Sequence, residues 1–236
     1  MTDSSASAPD YSAVHSATQV RRPANAPARK LESYRYGVFL RPDPITCATE
    51  VRIHAVLKQQ YGFVSCPVFP PHATLAGSIR IVDDESKASD VVNQALAGTK
   101  PFIVHNAGPA RLGAGIVYDV HYLPDGSTND TITNLAITMN SVLEPLSTPV
   151  QDYLVSPFEP ARFHAHLSLA AFELALKPEL VDEVLRFIDG LGEEPPRRFT
   201  ADSIAMYRFH SQNWDGPWWQ TMTWEHIRSW RLGIDT

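Results

Sequence analysis

Two short stretches of this 236-residue chain hold residue types suited to moving protons: His72-Ala73-Thr74-Leu75 and His166-Leu167-Ser168-Leu169. Both read His-x-(Thr/Ser)-Leu, both follow an aromatic residue (Phe69 or Phe163), and they lie 94 positions apart. In a β-strand side chains alternate between faces, so residues i and i+2 point the same way. His72 and Thr74 would then share one face, and His166 and Ser168 another, with Ala73, Leu75, Leu167 and Leu169 directed into a core behind them. Each stretch presents an imidazole beside a hydroxyl. Two such strands side by side would line a groove with two imidazoles and two hydroxyls. Imidazole has an unperturbed pKa of ~6.5, so one ring can take a proton from an attacking oxygen while the other gives one to a leaving oxygen. The hydroxyls can hydrogen-bond the non-bridging oxygens of a phosphate. This set suits phosphodiester chemistry and needs no metal or cofactor.

The elements that must position these residues can be read from periodicity and turn signals. Strands are expected at 36–40, 72–81, 102–112, 116–122, 162–172, 199–209 and 218–227. Helices are expected at 44–60, 83–97, 128–146 and 178–191. Pro44 suits the first turn of the first helix, whose apolar stripe would be Ile45, Ala48, Val51, Ala55 and Leu57. Gly113-Ala-Gly115 and Asp125-Gly126 mark turns. The order strand, helix, strand, helix, hairpin is followed by helix, strand, helix, hairpin. This is an α/β layout with helices packed on sheets, and its two halves echo each other as a loose duplication. No GxGxxG or P-loop pattern is present to hold a dinucleotide or a nucleoside triphosphate.

The paired motifs, one per half of a duplicated α/β unit, resemble those of the two-histidine (2H) phosphoesterase superfamily, which includes RNA 2′,5′-ligase-like proteins and cyclic nucleotide phosphodiesterases. The resemblance spans residues 34–232. It implies a bilobal α/β fold with two antiparallel sheets facing a central cleft and helices outside. It also implies that His72 and His166 are the acid–base pair and that Thr74 and Ser168 hold the phosphate. Members commonly open 2′,3′- or 1″,2″-cyclic phosphates or cleave 2′,5′ linkages without a metal. The expected partner is thus a small nucleotide or a short RNA end. The rival readings are a nucleotide or RNA-end binding module that keeps the cleft without turnover, and an enzyme on the same scaffold acting on a non-nucleotide metabolite. Two intact titrating groups favour catalysis over binding alone.

Other residues extend the candidate site. On the expected 162–172 strand, Arg162 and His164 would project with His166 and Ser168, and a guanidinium binds phosphate through two parallel hydrogen bonds. They add to the phosphate site if the strand start lies inside the cleft, and lie in solvent if it does not. His164-x-His166 has no Asp, Glu or Cys at metal-ligand spacing beside it, so no metal site is expected. His121 and Asp119 share a strand face, where they would contact substrate, place a carboxylate beside an imidazole, or serve the scaffold. Tyr207, with Trp218 or Trp219, comes from an aromatic C-terminal segment. Such rings stack nucleobases or fill a core.

Composition bounds the rest. Twenty Lys and Arg against 26 Asp and Glu give a formal net charge of −6, which disfavours a broad grip on duplex DNA. The two cysteines, Cys47 and Cys66, are too few for a disulfide framework or a multi-cysteine zinc site. No 18-residue apolar run and no secretory h-region occurs, so a cytoplasmic address is expected. Residues 1–33, rich in Ser, Ala and Pro, are expected to be a disordered tail, and residues 34–236 a single bilobal domain. Nothing in the sequence speaks to oligomeric state.

Overall fold

Every residue of Tyr34–Leu40 (β1) is buried, as befits a strand covered on both faces. The computed structural model describes residues 34–233, so the expected 1–33 tail lies outside the described residues. After β1, Asp43 caps the first helix, Pro44–Tyr61 (α1), by accepting from the Thr46 amide at 2.8 Å. Gly62, at φ 73°, ends it in the left-handed conformation that glycine adopts without strain. The chain continues through Ala73–Ile81 (β2), Glu85–Leu96 (α2), Phe102–His105 (β3), Pro109–Leu112 (β4), Gly115–Asp119 (β5), Asp130–Leu143 (α3) and Ser147–Thr148 (β6). It closes with His166–Ala170 (β7), Phe172–Leu176 (α4), Val181–Gly190 (α5), Arg198–Ala201 (β8), Ser203–His210 (β9) and Thr223–Arg231 (β10).

The main sheet is antiparallel, in the order β10-β9-β1-β2-β7-β5-β4, with β6 added to β2; β3 and β8 form a separate two-stranded sheet. Two equivalent units are visible within it. In β1-α1-β2 the two strands pair antiparallel, and so do the two strands of β5-α3-β7. The helices cross over: α1 packs on β7 and α3 on β2. The half containing β2 meets the half containing β7 at one residue pair, Ala73 with Leu167. A mixed α/β fold of antiparallel strands with helices packed on them is therefore present as expected.

Several boundaries differ from expectation. The 102–112 strand breaks at Asn106-Ala107-Gly108, where Gly108 takes φ 96°, so that β3 leaves to pair with β8 while β4 stays with β5. The 199–209 strand likewise divides at Asp202 into β8 and β9, which belong to different sheets. The 162–172 strand shortens to His166–Ala170, because Pro160–Arg162 forms a 3-10 turn and Phe172 starts α4. Trp218–Gln220 is a 3-10 turn, and β10 begins only at Thr223. On α1 the buried face is not the Ile45/Val51 stripe: Ile45 is 66 % exposed, and the helix buries Thr46, Thr49, Glu50, Ile53, His54 and Leu57. A strongly polar buried face runs against the usual amphipathic rule. Part of the reason is tertiary: His54 Nε2–H donates to the Ser168 carbonyl at 2.8 Å and so ties α1 to the back of β7.

Candidate active site

Ala73 and Leu167, the x residues of the two His-x-(Thr/Ser)-Leu motifs, are the pair that joins the two halves. In antiparallel register this sets His72 across from Ser168 and Thr74 across from His166. Alternation does the rest. Ala73, Leu75, Leu167 and Leu169 are fully buried in the core, whereas His72, Thr74, His166 and Ser168 are only partly covered and border one cavity of about 690 Å³. Residues 94 positions apart in the chain are brought into one constellation by a single backbone pairing.

The two imidazoles are held identically. The Nδ1–H of His72 donates to the Pro70 carbonyl at 2.7 Å, and the Nδ1–H of His166 donates to the His164 carbonyl, also at 2.7 Å. Each ring is thereby fixed in the tautomer that leaves Nε2 for a reacting group. Burial pushes the His72 pKa down to about 4, against a smaller upward pull from its carbonyl bond; the neighbouring His166 and His54 also press it down. His166 is lowered too, first by burial and then by His164, with its carbonyl bond and Asp119 pulling upward. With both pKa values lowered, both rings are neutral near pH 7. A bound phosphate anion would favour their protonated forms.

The expected substrate-binding residues divide. Arg162 and His164 both border the cavity, but from the segment before β7 rather than from the strand. Arg162 is exposed at the rim, 3.6 Å from Glu159. His164 is held by Asp119, whose Oδ1 accepts from its Nε2 at 3.0 Å. Tyr207 does not border the cavity. It is 5 % exposed and packs among Phe39, Phe209 and Trp224 behind the wall. A residue in the middle of β9, paired on both sides, faces a packed layer, and the count of aromatic residues alone cannot reveal which layer. Of the two tryptophans, Trp218 borders the cavity, whereas Trp219 stacks on Phe172 outside it.

Sequence reasoning missed most of the aromatic wall. Phe39, Phe69, Phe172, Phe209 and Trp214 border the cavity, with Phe39 edge-on to His72 at 4.4 Å between ring centroids. Phe69 carried a local signal, its place just before the motif, and Phe209 and Trp214 lay in the aromatic C-terminal segment, whose composition does not say which rings face the cavity. The other missed feature is a clamp. Arg35 is buried, donates to both Asp152 carboxylate oxygens at 2.8–3.0 Å and lies 4.8 Å over the Trp214 ring; Ser78 also bonds Asp152. The clamp holds the irregular 149–159 segment, which supplies Val155, Pro157 and Phe158 to the cavity wall. Among the described residues, no three His, Cys, Asp or Glu side chains converge as a metal-binding group.

A strand carrying His-x-(Thr/Ser) from each of two paired units, meeting over one cavity, defines a two-histidine phosphoesterase scaffold. The family model of the 2′-5′ RNA ligase superfamily matches residues 40–213, and the chain belongs to that superfamily. The crystal structure of E. coli LigT complexed with NADP+ is similar in fold, with a TM-score of 0.51 at 12 % identity over 85 % of this chain and 98 % of that one. E. coli LigT complexed with phosphate gives a TM-score of 0.46 at 12 % identity over 85 % and 98 % of the two chains. Usb1 of Kluyveromyces marxianus gives 0.36 at 10 % identity over 83 % and 99 %. No curated protein matches the chain in sequence.

Proposed function

We propose that this protein is a metal-independent phosphodiesterase that opens a 2′,3′- or 1″,2″-cyclic nucleotide phosphate, or cleaves a 2′,5′-phosphodiester, by acid–base catalysis between His72 and His166. The observation that carries this reading is the Ala73–Leu167 pairing together with the two matching Nδ1 clamps, which give two Nε2 atoms and two hydroxyls to one cavity. One Nε2 removes a proton from the attacking oxygen, and the other delivers a proton to the leaving oxygen. Such assistance is worth ~10²–10⁴ in rate, or about 3–5 kcal/mol. Thr74 and Ser168 hydrogen-bond the non-bridging oxygens. Arg162 at the rim and His164 in the wall add contacts to the phosphate side. The apolar, aromatic remainder of the cavity favours a nucleoside over a long polyanion, in keeping with the net charge of −6. That LigT, whose fold this chain shares, was crystallised with NADP+ is in line with a nucleotide ligand.

The test is turnover by purified protein in EDTA, with 2′,3′-cyclic nucleotides, ADP-ribose 1″,2″-cyclic phosphate and a 2′,5′-linked dinucleotide offered in turn. The expected result is hydrolysis of at least one by wild type. His72→Ala and His166→Ala should each lose ~10²–10⁴ in kcat with an unchanged circular dichroism spectrum. Loss of wild-type activity on chelation would refute the metal-free mechanism. Tight binding of these compounds without turnover would favour a nucleotide-binding module instead.

A further inference from the structure

The two motifs are related by backbone pairing and hold their rings alike, but their surroundings differ in charge. In the second unit, Asp119 of β5 is the cross-strand partner of His166 in β7. Cross-strand neighbours on one face of a sheet lie within interaction distance. Asp119 also accepts from His164 Nε2, and the His164 carbonyl is what receives the His166 Nδ1–H. His121 completes this end: its backbone N–H donates to Asp119 at 3.0 Å, and its ring stacks on His164 at 4.5 Å.

The first unit has no such carboxylate. One residue beyond the Leu40–Ala73 pair, in the place corresponding to Asp119, stands Arg41, which is exposed. The His72 ring instead lies against two phenyl rings, Phe39 in a T-shaped contact at 4.4 Å and Phe69 tilted at 5.4 Å between centroids, and its Nδ1 partner Pro70 carries no charge. The titratable groups near His72 are His166 and, from α1, His54; those near His166 are His72, His164 and Asp119, and Glu50 of α1 borders the same cavity.

We propose that the duplicated site is functionally polarised, with Asp119 positioning and electrostatically supporting His166 as the proton donor to the leaving oxygen, while His72 in its aromatic niche is the base. This rests on the phosphodiesterase reading above. Water gives a proton to His72 Nε2 as its oxygen bonds to phosphorus. The bond from phosphorus to the leaving oxygen breaks, and that oxygen takes the proton from His166 Nε2. The cycle ends with His72 protonated and His166 neutral, and exchange with solvent restores both. Burial lowers both rings, His72 to about 4, and of the two only His166 has a carboxylate, Asp119, opposing that shift.

Two measurements test this. The first is a histidine-resolved NMR titration of the full-length protein saturated with inorganic phosphate. His166 is expected to keep its proton to higher pH than His72. Asp119→Asn should move His166 downward and leave His72 in place, with His164→Gln as the second variant should Asp119→Asn not fold. An inverted order, or equal shifts at both rings, overturns the assignment without any reference to activity. The second compares a cyclic nucleotide with a p-nitrophenyl nucleotide diester, whose leaving group departs without a proton. His166→Ala should lose ~10²–10⁴ on the cyclic nucleotide but stay within about tenfold of wild type on the nitrophenyl ester, whereas His72→Ala should fail on both. The reverse pattern overturns the roles. Wild-type inactivity on both substrates would instead sink the phosphodiesterase reading and the roles with it, while the titration order would still report whether the site is polarised.

Discussion

A hydroxyl at Thr74 and at Ser168 has one feature a methyl lacks, a donor that can meet a charged phosphate oxygen. A hydrogen bond to a charged group contributes about 1.5–3 kcal/mol. Thr74→Ala and Ser168→Ala should therefore each lower kcat/KM by roughly 10- to 150-fold, while Thr74→Ser and Ser168→Thr stay near wild type; steady-state kinetics on the cyclic nucleotides or 2′,5′-dinucleotide proposed above would check both. The four motif residues were legible because each occurs twice in a fixed local pattern, and strand alternation converts that pattern into a shared face. Tyr207 was not legible in the same way. Its ring belongs to a layer defined by strands on either side of β9, and no local spacing encodes that layer. Asp119 lies between. Its place on a strand face beside His121 can be read, but its actual partner, His164, comes from a segment 45 residues later.

At the scale of elements, β1 and α1 build the wall and the back of the site. Gly37 in β1 lies against the ring of Phe39, where an added Cβ would collide with it, and the Ala76 carbonyl is 3.2 Å away. Phe39 is buried and borders His72, so the ring has little room to retreat. Gly37→Ala should cost about 1–3 kcal/mol of stability by overpacking and also reduce turnover. Urea unfolding paired with kinetics would test it, and a variant that lost neither would refute the wedge. The polar buried face of α1 explains why its apolar stripe misled. Glu50 is buried, leaves Oε2 without a partner, and is driven far above the usual carboxylate range by desolvation. A raised carboxyl stabilises the fold below its unfolded pKa of ~4.3 and costs stability as pH rises through the folded value. Glu50→Gln should thus raise the Tm at pH 8, with a smaller gain at pH 5, as thermal scans would show.

Across the whole molecule, the Arg35–Asp152 pair fixes the 149–159 segment against β1 and β2 and so completes the cavity. Both partners are buried, and removing Asp152 takes away the bidentate carboxylate that Arg35 meets there. Asp152→Ala should cost about 3–5 kcal/mol, read by denaturant unfolding; a change below ~1 kcal/mol would show that the clamp is dispensable. Two histidines give the molecule an acid limit. His54 and His72 are both held down to about 4 by burial, while unfolded imidazole titrates at ~6.5. Their contribution is fully present above pH ~6.5 and is lost as pH falls toward 4, because the unfolded chain binds protons that the folded one refuses. For His54, which is deeply buried, this amounts to roughly 3 kcal/mol, so unfolding free energies measured from pH 7 down to pH 4 should fall steadily.

By itself the sequence determined the paired His-x-(Thr/Ser)-Leu pattern, the α/β order of elements and the strand alternation that sends Leu167 inward and His166 outward. Each of these is set by residues within a few positions of one another. Tertiary structure alone decided that Ala73 meets Leu167, that α1 crosses to the second unit and lends His54 to the back of β7, and that Asp119 stands opposite His166 whereas Phe39 flanks His72. These depend on register between strands far apart in the chain. Register follows from how the whole sheet buries its apolar faces, which no short stretch of residues specifies.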